Sequence, residues 1–549
     1  MASLKLWSPR AGADGARSRG GLKFASLAAC LLAVCLAQTS ASLPASLNGA
    51  IAANLHATGQ QITWVDDWFL IPTAVLGLTF GVIGDLYGRK RTMLAGAVFL
   101  GLGALICLTA PSVQVLWVGE AVAGIGAAAL FVSSLIVITG LGSDRYQRAR
   151  NLGLWGIALT LGNVFNPLIS GVVTAHTVWR WAYLPIICAA ILVLVLTSFA
   201  VSESKAPEGR SIDWAGQATM AAGFFMLLYG VIEASNSGWL VTASIIRFLV
   251  AIALLAAFVM IELRSPTPML RLRLFRIRAF GSASVVALLA MCAYVGAIYD
   301  MSIRLGVIDG VSTPHLAVIL SMLGVVGVVV GPVLRRVLQN VTGRWPLGLG
   351  VLAMTGAMIW FSTIPLGVTS FGRLIPPFVV FGIGLCFTVT ALAATTVNSV
   401  PAPLAGMASG AANQFRQFGQ ALGPGVIGSI ALSRAASDLT NRLAGLSVTA
   451  AQRSAAESAS AHGGALAVLG GNFGSGSHAI NSAAQISLNH GYVIGLYACI
   501  GMAAAAAVIA LVNVRSSQER LQTDAEQLVQ VTPEAEPSTP SRAPVPQRA

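Results

Sequence analysis

Carboxylates embedded in apolar sequence are the residues of this chain whose type and placement point to chemistry. Glu120 stands within VQVLWVGEAVAGIGAAAL, Asp66 and Asp67 precede WFLIPTAVLGLTF, Glu233 lies in YGVIEA, and Asp300 and Arg304 stand four apart in AIYDMSIRLGVI. An ionised group at the centre of a membrane costs from about 2.5 kcal/mol upwards and normally faces a wet interior. A carboxyl out of water keeps its proton to higher pH, as a proton carrier working near neutrality needs. Glu120, about two turns inside its run, is therefore the leading proton-coupling candidate, with Asp66 and Asp67 assisting. Each has a plainer reading. Glu120 can sit in a structural ion pair, Asp66 and Asp67 suit the positive end of a helix dipole, Glu233 suits the membrane interface, and Asp300 and Arg304 can pair with each other at i, i+4, which is favoured.

A second polar constellation surrounds Arg416, the deepest basic residue. Helical spacing puts Asn413, Arg416, Gln417 and Gln420 on one face, with Gln414 beside them. With Trp155, Asn163 and Asn166 these residues are candidates to line a cavity, although an amide or tryptophan in a membrane helix is more often packing. Other chemistries find no support. The seven cysteines lie inside apolar runs with no C-x-x-C pair, and the six histidines are scattered in or near loops. Neither a metal site, a disulfide framework nor a cofactor is indicated, and no phosphate loop or nucleophile constellation suggests an enzyme.

The elements that position these groups are membrane helices. Of 549 residues 56% are hydrophobic and 10% charged, against roughly 25% charged in soluble domains. Apolar runs long enough to span recur from 22–42, 62–84, 92–110, 114–137, 151–173 and 181–202 through 217–235 and 243–263 to 280–304, 312–334, 346–366, 375–397, 408–431 and 490–513, about fourteen helices in an all-α integral membrane fold. The first run also has the outline of a signal peptide, but Leu43, Leu47 and Ile51 continue its apolar pattern beyond the cleavage point that reading requires.

The net charge of +13 comes from 33 Lys and Arg gathered in short loops, a pattern that orients a membrane protein and makes no nucleic-acid face. Arg89/Lys90/Arg91, Arg145/Arg148/Arg150, Lys205/Arg210, the run Arg264 to Arg278, Arg335/Arg336/Arg344 and both tails share one side, read as cytoplasmic. Residues 1–21 read as a cytoplasmic tail, 22–205 as an N-terminal six-helix bundle, 206–275 as two inserted helices with flanking loops, 276–514 as a C-terminal six-helix bundle including an external loop at 433–489, and 515–549 as a disordered cytoplasmic tail.

Between the second and third runs stands GVIGDLYGRKRTML, residues 81–94, or G-x-x-x-D-x-x-G-R-K-x-x-x-L. Glycines let helix ends approach, the carboxylate can accept from a helix N-terminus or an arginine, and the basic triplet holds the loop on one side. Through Gly81, Asp85, Gly88, Arg89 and Lys90 this resembles the loop signature of the major facilitator superfamily. Gly156, Gly162, Pro167 and Gly171 followed by Trp179-Arg180-Trp181, together with SIDWAG (211–216), YGVIEASNSGW (229–239), RLRLF (271–275) and GMASGAANQFRQFG (406–419), are similar to its fourteen-helix drug:proton antiporter branch.

The resemblance implies two six-helix bundles plus two inserted helices, alternating a central cavity between the membrane faces and exporting hydrophobic or amphipathic small molecules against inward proton flow. It makes Asp85 and Arg89 gating residues, with the carboxylate docking on the helix near Ala408, and Gly162, Pro167 and Gly171 closure residues. It also allows a periplasmic adaptor. Three departures stand out. The family's first-helix acid is absent from Thr39 to Asn48, Glu120 replaces an arginine four residues before Gly124, and the fifth-helix Gly-Pro and Gly-Gly pairs read Asn166-Pro167 and Ser170-Gly171. These departures keep an alternative open, a single-metabolite transporter of the same fold without proton coupling.

Overall fold

A computed structural model describes residues 10–142, 145–205, 213–265, 272–340, 344–400, 405–469 and 471–513. The tails expected at 1–21 and 515–549 fall mostly or wholly outside the described side chains. The described chain forms helices α1 (Arg10–Leu55), α2 (Gly59–Tyr87), α3 (Arg89–Leu108), α4 (Val113–Gly140), α5 (Arg145–His176), α6 (Leu184–Ala200), α7 (Trp214–Ser237), α8 (Thr242–Arg264), α9 (Arg278–Ile303), α10 (Thr313–Asn340), α11 (Arg344–Ser362), α12 (Phe371–Asn398), α13 (Ala405–Gly445), α14 (Ala450–Leu469) and α15 (Ser477–Asn513). In lipid only a helix satisfies its own backbone. Thirteen of the described helices are long and apolar enough to cross a membrane; α13, loaded with Arg416 and its amides, is the fourteenth of the sequence reading and packs between α9, α15, α2 and α7.

Local chemistry sets the helix starts. Thr58 and Gln61 form a reciprocal capping box at α2, Ser112 caps α4 and the Asp213 carboxylate accepts from the Gly216 amide at α7. Once formed, the helices pack twice in the same pattern. In the first six, α1 meets α5 and α6, α2 meets α4, and α3 meets α4 and α6; in the later set α9 meets α13 and α15, α10 meets α12, and α11 meets α12 and α15. The two sets touch along α2–α13 and α5–α10, with α1 against α9 and α10. Small residues allow the closest crossings: a Cβ on Gly126 would collide with the backbone of α3 at Leu100 and Gly96, and one on Gly384 with the backbone of α11 at Gly350 and Met354. Large apolar side chains such as Leu249, Ile252 and Leu263 on α8 point outward and stay exposed, as a lipid-facing surface requires.

The segment 433–489, read from the sequence as an external connection with room for short helices, holds more helix than that. Most of it is helical, as α13 runs on to Gly445, α14 follows, and α15 starts at Ser477. Alanine-rich sequence favours helix, and Ala435, Leu439 and Leu443, spaced four apart, bury completely or nearly so against neighbours that include Ile480 and Leu488.

Candidate functional site: a cavity between the two helix sets

The two helix sets enclose a cavity of about 60 Å³, room for a few waters and well below the 300–1,000 Å³ typical of drug-sized ligands. Its walls come from α1 (Gln38, Ser42), α2 (Asp66, Thr73), α4 (Phe131), α5 (Asn163), α9 (Tyr294, Tyr299) and α13 (Gln417, Gln420). Asp66 supplies the carboxylate of this lining. Its one described hydrogen bond comes from the Asn48 amide, at 3.0 Å, so the acid faces the space between the halves with little else to stabilise a charge. Asn163 accepts from both Gln38 and Ser42 at 3.1 Å, tying α5 to α1 at the cavity wall.

Asp67, the next residue, points the other way. It is completely buried, accepts no hydrogen bond among the described residues, and a Cβ on Gly425 of α13 would stand 2.8 Å from its Oδ2. Glu120 is as deeply buried but lies inside the first set, where Tyr183 donates to Oε1 at 2.6 Å and the Cys107 thiol approaches at 3.8 Å. It is not part of the cavity wall, although Asp66 is within its electrostatic reach. Beside the cavity, the Thr63 and Tyr299 hydroxyls share a 2.7 Å hydrogen bond that joins α2 to α9.

Of the polar constellation, Gln417 and Gln420 line the cavity. Arg416 is buried and donates to Asn413 at 3.0 and 3.1 Å on its own helix, near Tyr294, while Gln414 lies against Gly77 of α2. Asn166 donates to the Ser42 carbonyl at 2.7 Å and to Ser46 at 3.2 Å, and Trp155 donates to Ser134 at 3.0 Å; both bind helix to helix outside the cavity wall. The pairing expected of Asp300 and Arg304 is corrected. The Arg304 amide still bonds the Asp300 carbonyl, but the π-helical turn that begins there, Arg304–Ile308, brings Asp309 back to the arginine, whose side chain goes to Asp309 at 3.7 Å and to the carbonyls of Phe361, Ile364 and Pro365.

At one end of the molecule α2 and α3 meet, and the 81–94 signature spans the end of α2, Gly88 between the helices and the start of α3. Arg89 pairs with the buried Asp85 at 2.9 Å. Gly88 holds φ of +123°, and a Cβ there would stand 2.5 Å from the Glu203 carboxyl. Glu203 accepts from the Lys90 amide at 3.1 Å and pairs with Arg91 at 3.7 Å, while the Arg89 amide donates to the Ser204 carbonyl at 3.1 Å and Lys90 Nζ to Ser198 at 2.7 Å. The α2–α3 junction is thus clasped to the end of α6 and the residues that follow it. Side chains at 401–409, where docking near Ala408 was expected, lie outside the described residues. Gly81 faces Val132 of α4 across an ordinary contact.

Glycines of α5 and α10 form the seam toward the opposite end. A Cβ on Gly171 would meet that of Ala317 at 2.6 Å, and Gly324 and Gly327 lie directly against Val164 and Thr160. Gly162 abuts α1 at Gln38 and Cys35 instead, and Pro167 lies within α5. Further along α5 and α10, a Cβ on Gly153, Gly156 or Gly331 would meet nothing within 4 Å among the described residues. Beyond the far end of the seam, Arg180 donates to Asn54 at 2.8 Å and the Ala110 carbonyl at 2.9 Å and stacks on Trp179.

Sequence reasoning missed Gln38, Ser42, Tyr294 and Tyr299 as lining residues and Glu203 as the clasp. Gln38 was findable as an amide in an otherwise apolar run; the tyrosines were not, because nothing in their spacing separates a cavity wall from a packed face.

Known proteins agree with this architecture. Multidrug resistance protein Stp of Mycobacterium tuberculosis is 29% identical over 380 residues, 67% of this chain and 68% of that protein. The tetracenomycin C resistance and export protein of Streptomyces glaucescens is 25% identical over 77% of this chain and 78% of its own length. A crystal structure of a bacterial homolog of the human lysosomal transporter Spinster, inward-facing and unoccupied, shares the fold with a TM-score of 0.56 at 16% identity, covering 90% of this chain and 99% of that one. The family profile of the Major Facilitator Superfamily matches residues 30–424, and with two matching helix sets around one cavity this multi-pass membrane protein belongs to that superfamily.

Proposed function

We propose that this transporter exports hydrophobic or amphipathic small molecules across the bacterial inner membrane, driven by inward proton flow. The observation that carries the reading is Asp66, a carboxylate on the wall of the cavity between the halves with Asn48 as its described hydrogen-bond donor. A proton on Asp66 removes a charge from a poorly solvated site, so protonation and cavity opening are energetically linked. Asp67 and Glu120 lie behind it and adjust its field. The bundles at 22–205 and 276–514 rock about the α5–α10 and α2–α13 contacts, with Gly162, Pro167 and Gly171 in the closing element and the Asp85–Arg89 pair latching the other end. That latch end and both termini face the cytoplasm, where the basic loops gather, and the α13–α14–α15 projection is the place a periplasmic adaptor would reach.

The supporting experiment follows ethidium accumulation in an efflux-deficient bacterial host, with and without a protonophore, beside Asp66→Asn and Asp85→Asn. Lower accumulation on expression, restored by the protonophore and by each substitution, is expected. Unchanged accumulation despite confirmed membrane expression overturns broad cation export. It would favour the second reading, a single-metabolite transporter, which has its own support in the amides of Gln38, Asn163, Gln417 and Gln420 around so small a cavity.

A further inference from the structure

Among the described residues Asn48 is the hydrogen-bond partner of the Asp66 carboxyl, and the Asn48 side chain has no other. The amide is almost completely buried on α1, its Nδ2 donates to Asp66 Oδ2 at 3.0 Å, and its Oδ1 is buried with no described partner. Buried polar atoms are nearly always bonded, so an amide left open at one end needs a physical account. The amides of α5 behave differently. Asn163 accepts from Gln38 and Ser42, and Asn166 donates to the Ser42 carbonyl and to Ser46. Two bonds fix each of those amides in one orientation, whereas turning the Asn48 amide over interrupts only its bond to Asp66.

That freedom has a use, because an amide is donor and acceptor at once. A carboxylate takes a hydrogen bond from the NH2 end. A protonated carboxyl has an O–H to donate instead, and Oδ1 of the turned amide, standing where Nδ2 stood, accepts it. The link between α1 and α2 therefore survives the arrival and departure of a proton. The other groups around the acid are acidic or engaged elsewhere. Asp67 beside it on α2, Glu120 on α4, Tyr183 before α6 and Tyr299 on α9 are the titratable neighbours within electrostatic reach, but Tyr183 donates to Glu120 and Tyr299 shares its hydrogen bond with Thr63. From α5 and α13 the cavity wall presents the amides of Asn163, Gln417 and Gln420, and among the described residues no cation pairs with Asp66.

We propose that Asn48 is a positioning residue for the proton on Asp66, donating to the carboxylate through Nδ2 and, once the amide has turned over, accepting from the protonated acid through Oδ1. The proton comes from the cavity that Asp66 lines and returns to it. Asn48 gives up no proton, and no covalent bond of the amide changes. The inference rests on the proton-driven reading above and adds the residue that sets the pH at which Asp66 loads.

The test uses the purified full chain in liposomes with an acid interior and follows ethidium uptake across a pH series at a constant gradient. Asn48→Leu keeps the bulk of the side chain and removes its donor and acceptor. A carboxylate that loses its hydrogen bond holds a proton to higher pH, so the fall of uptake on the alkaline side is expected to move up by about one pH unit or more. If wild-type liposomes show no response to the gradient, the proton-driven reading itself fails. If wild type responds and Asn48→Leu has the same pH profile, or is slower at every pH without a shift, the positioning role is overturned and Asn48 only packs α1 against α2. Should Asn48→Leu not fold, the full chain carrying asparagine labelled with ¹³C at the side-chain carbonyl is followed by infrared difference spectroscopy as pH is changed. An asparagine carbonyl band that changes together with the carboxyl band, is lost in Asp66→Asn and is kept in Asn163→Ser supports the proposal. A carboxyl band that titrates with no change at asparagine, or an asparagine band lost in Asn163→Ser, overturns it.

Discussion

The hydroxyl of Tyr183 and the carboxyl of Glu120 meet at 2.6 Å inside the first helix set, where both are buried. Glu120 Oε2 has no described partner, so this bond and the weak Cys107 contact are what satisfy the acid. Removing the tyrosine hydroxyl leaves a buried acid underserved, at a cost of about 1–3 kcal/mol. Tyr183→Phe should therefore lower the melting temperature in detergent, and the Tyr183→Phe/Glu120→Gln cycle should show coupling of roughly 0.5–3 kcal/mol. Additive effects would show that the pair does not interact.

Efflux separates the two acids. Asp66 touches the cavity and Glu120 does not, so Asp66→Asn should reduce protonophore-sensitive ethidium efflux by about tenfold or more while Glu120→Gln reduces it less and alters its pH profile. Equal losses would put Glu120 in the proton path proper. A full rate in both variants would remove this region from coupling altogether.

Some of this was legible from the chain alone. Long apolar runs fixed the helices because lipid leaves the backbone no alternative, and the 81–94 spacing marked the junction of α2 and α3. What spacing could not convey is direction. Asp66 and Asp67 are neighbours in sequence, yet consecutive helical residues lie about 100° apart, so one faces the cavity and the other α13. Arg304 and Asp300 have the spacing of a salt bridge, but a π turn after Arg304 brings Asp309 to the arginine as a competing partner. The extent of helix within 433–489 was hard to read because its Ala, Ser and Gly content resembles a loop, while the apolar residues four apart that mark the helix are few.

Gly88 tests the clasp. Its φ of +123° is a conformation side chains rarely adopt, and the Glu203 carboxyl occupies the space a Cβ would need. Gly88→Ala should cost about 1–3 kcal/mol and release Glu203 from the Lys90 amide. Limited proteolysis between α2 and α3 should accelerate accordingly. An unchanged cleavage rate would mean that the clasp does not order the loop.

Outside the membrane-spanning region, Asp438 offers a pH test. Partial burial would raise its pKa, but the 2.5 Å hydrogen bond from Arg442 and the charge of that guanidinium outweigh this and hold the carboxyl below its usual range. A depressed carboxyl stabilises the fold above its ordinary pKa, and the contribution disappears as pH falls through the depressed value. Asp438→Asn should thus be less stable than wild type at pH 7 by a surface-pair amount of up to about 1 kcal/mol. The difference in melting temperature should begin to shrink below about pH 4 and close only once pH has fallen through the depressed value; a gap that persists below it would assign the loss to packing.

The α5–α10 seam decides whether the halves separate where proposed. Gly324 lies against the backbone of Val164 and Asn163, which cannot rotate away as a flexible side chain would. A larger residue there must push α5 from α10, and overpacking of this kind costs about 1–3 kcal/mol. If the transporter alternates between a closed and an open seam, the cost falls only on the closed state and shifts the population by roughly 5- to 150-fold. Gly324→Leu should then stop ethidium efflux while raising the reactivity of Ala45→Cys on the cavity wall toward a charged maleimide applied from outside. If efflux stops and reactivity stays at the level of the Ala45→Cys parent, the substitution has only damaged packing, and the opening must occur along α2–α13 instead.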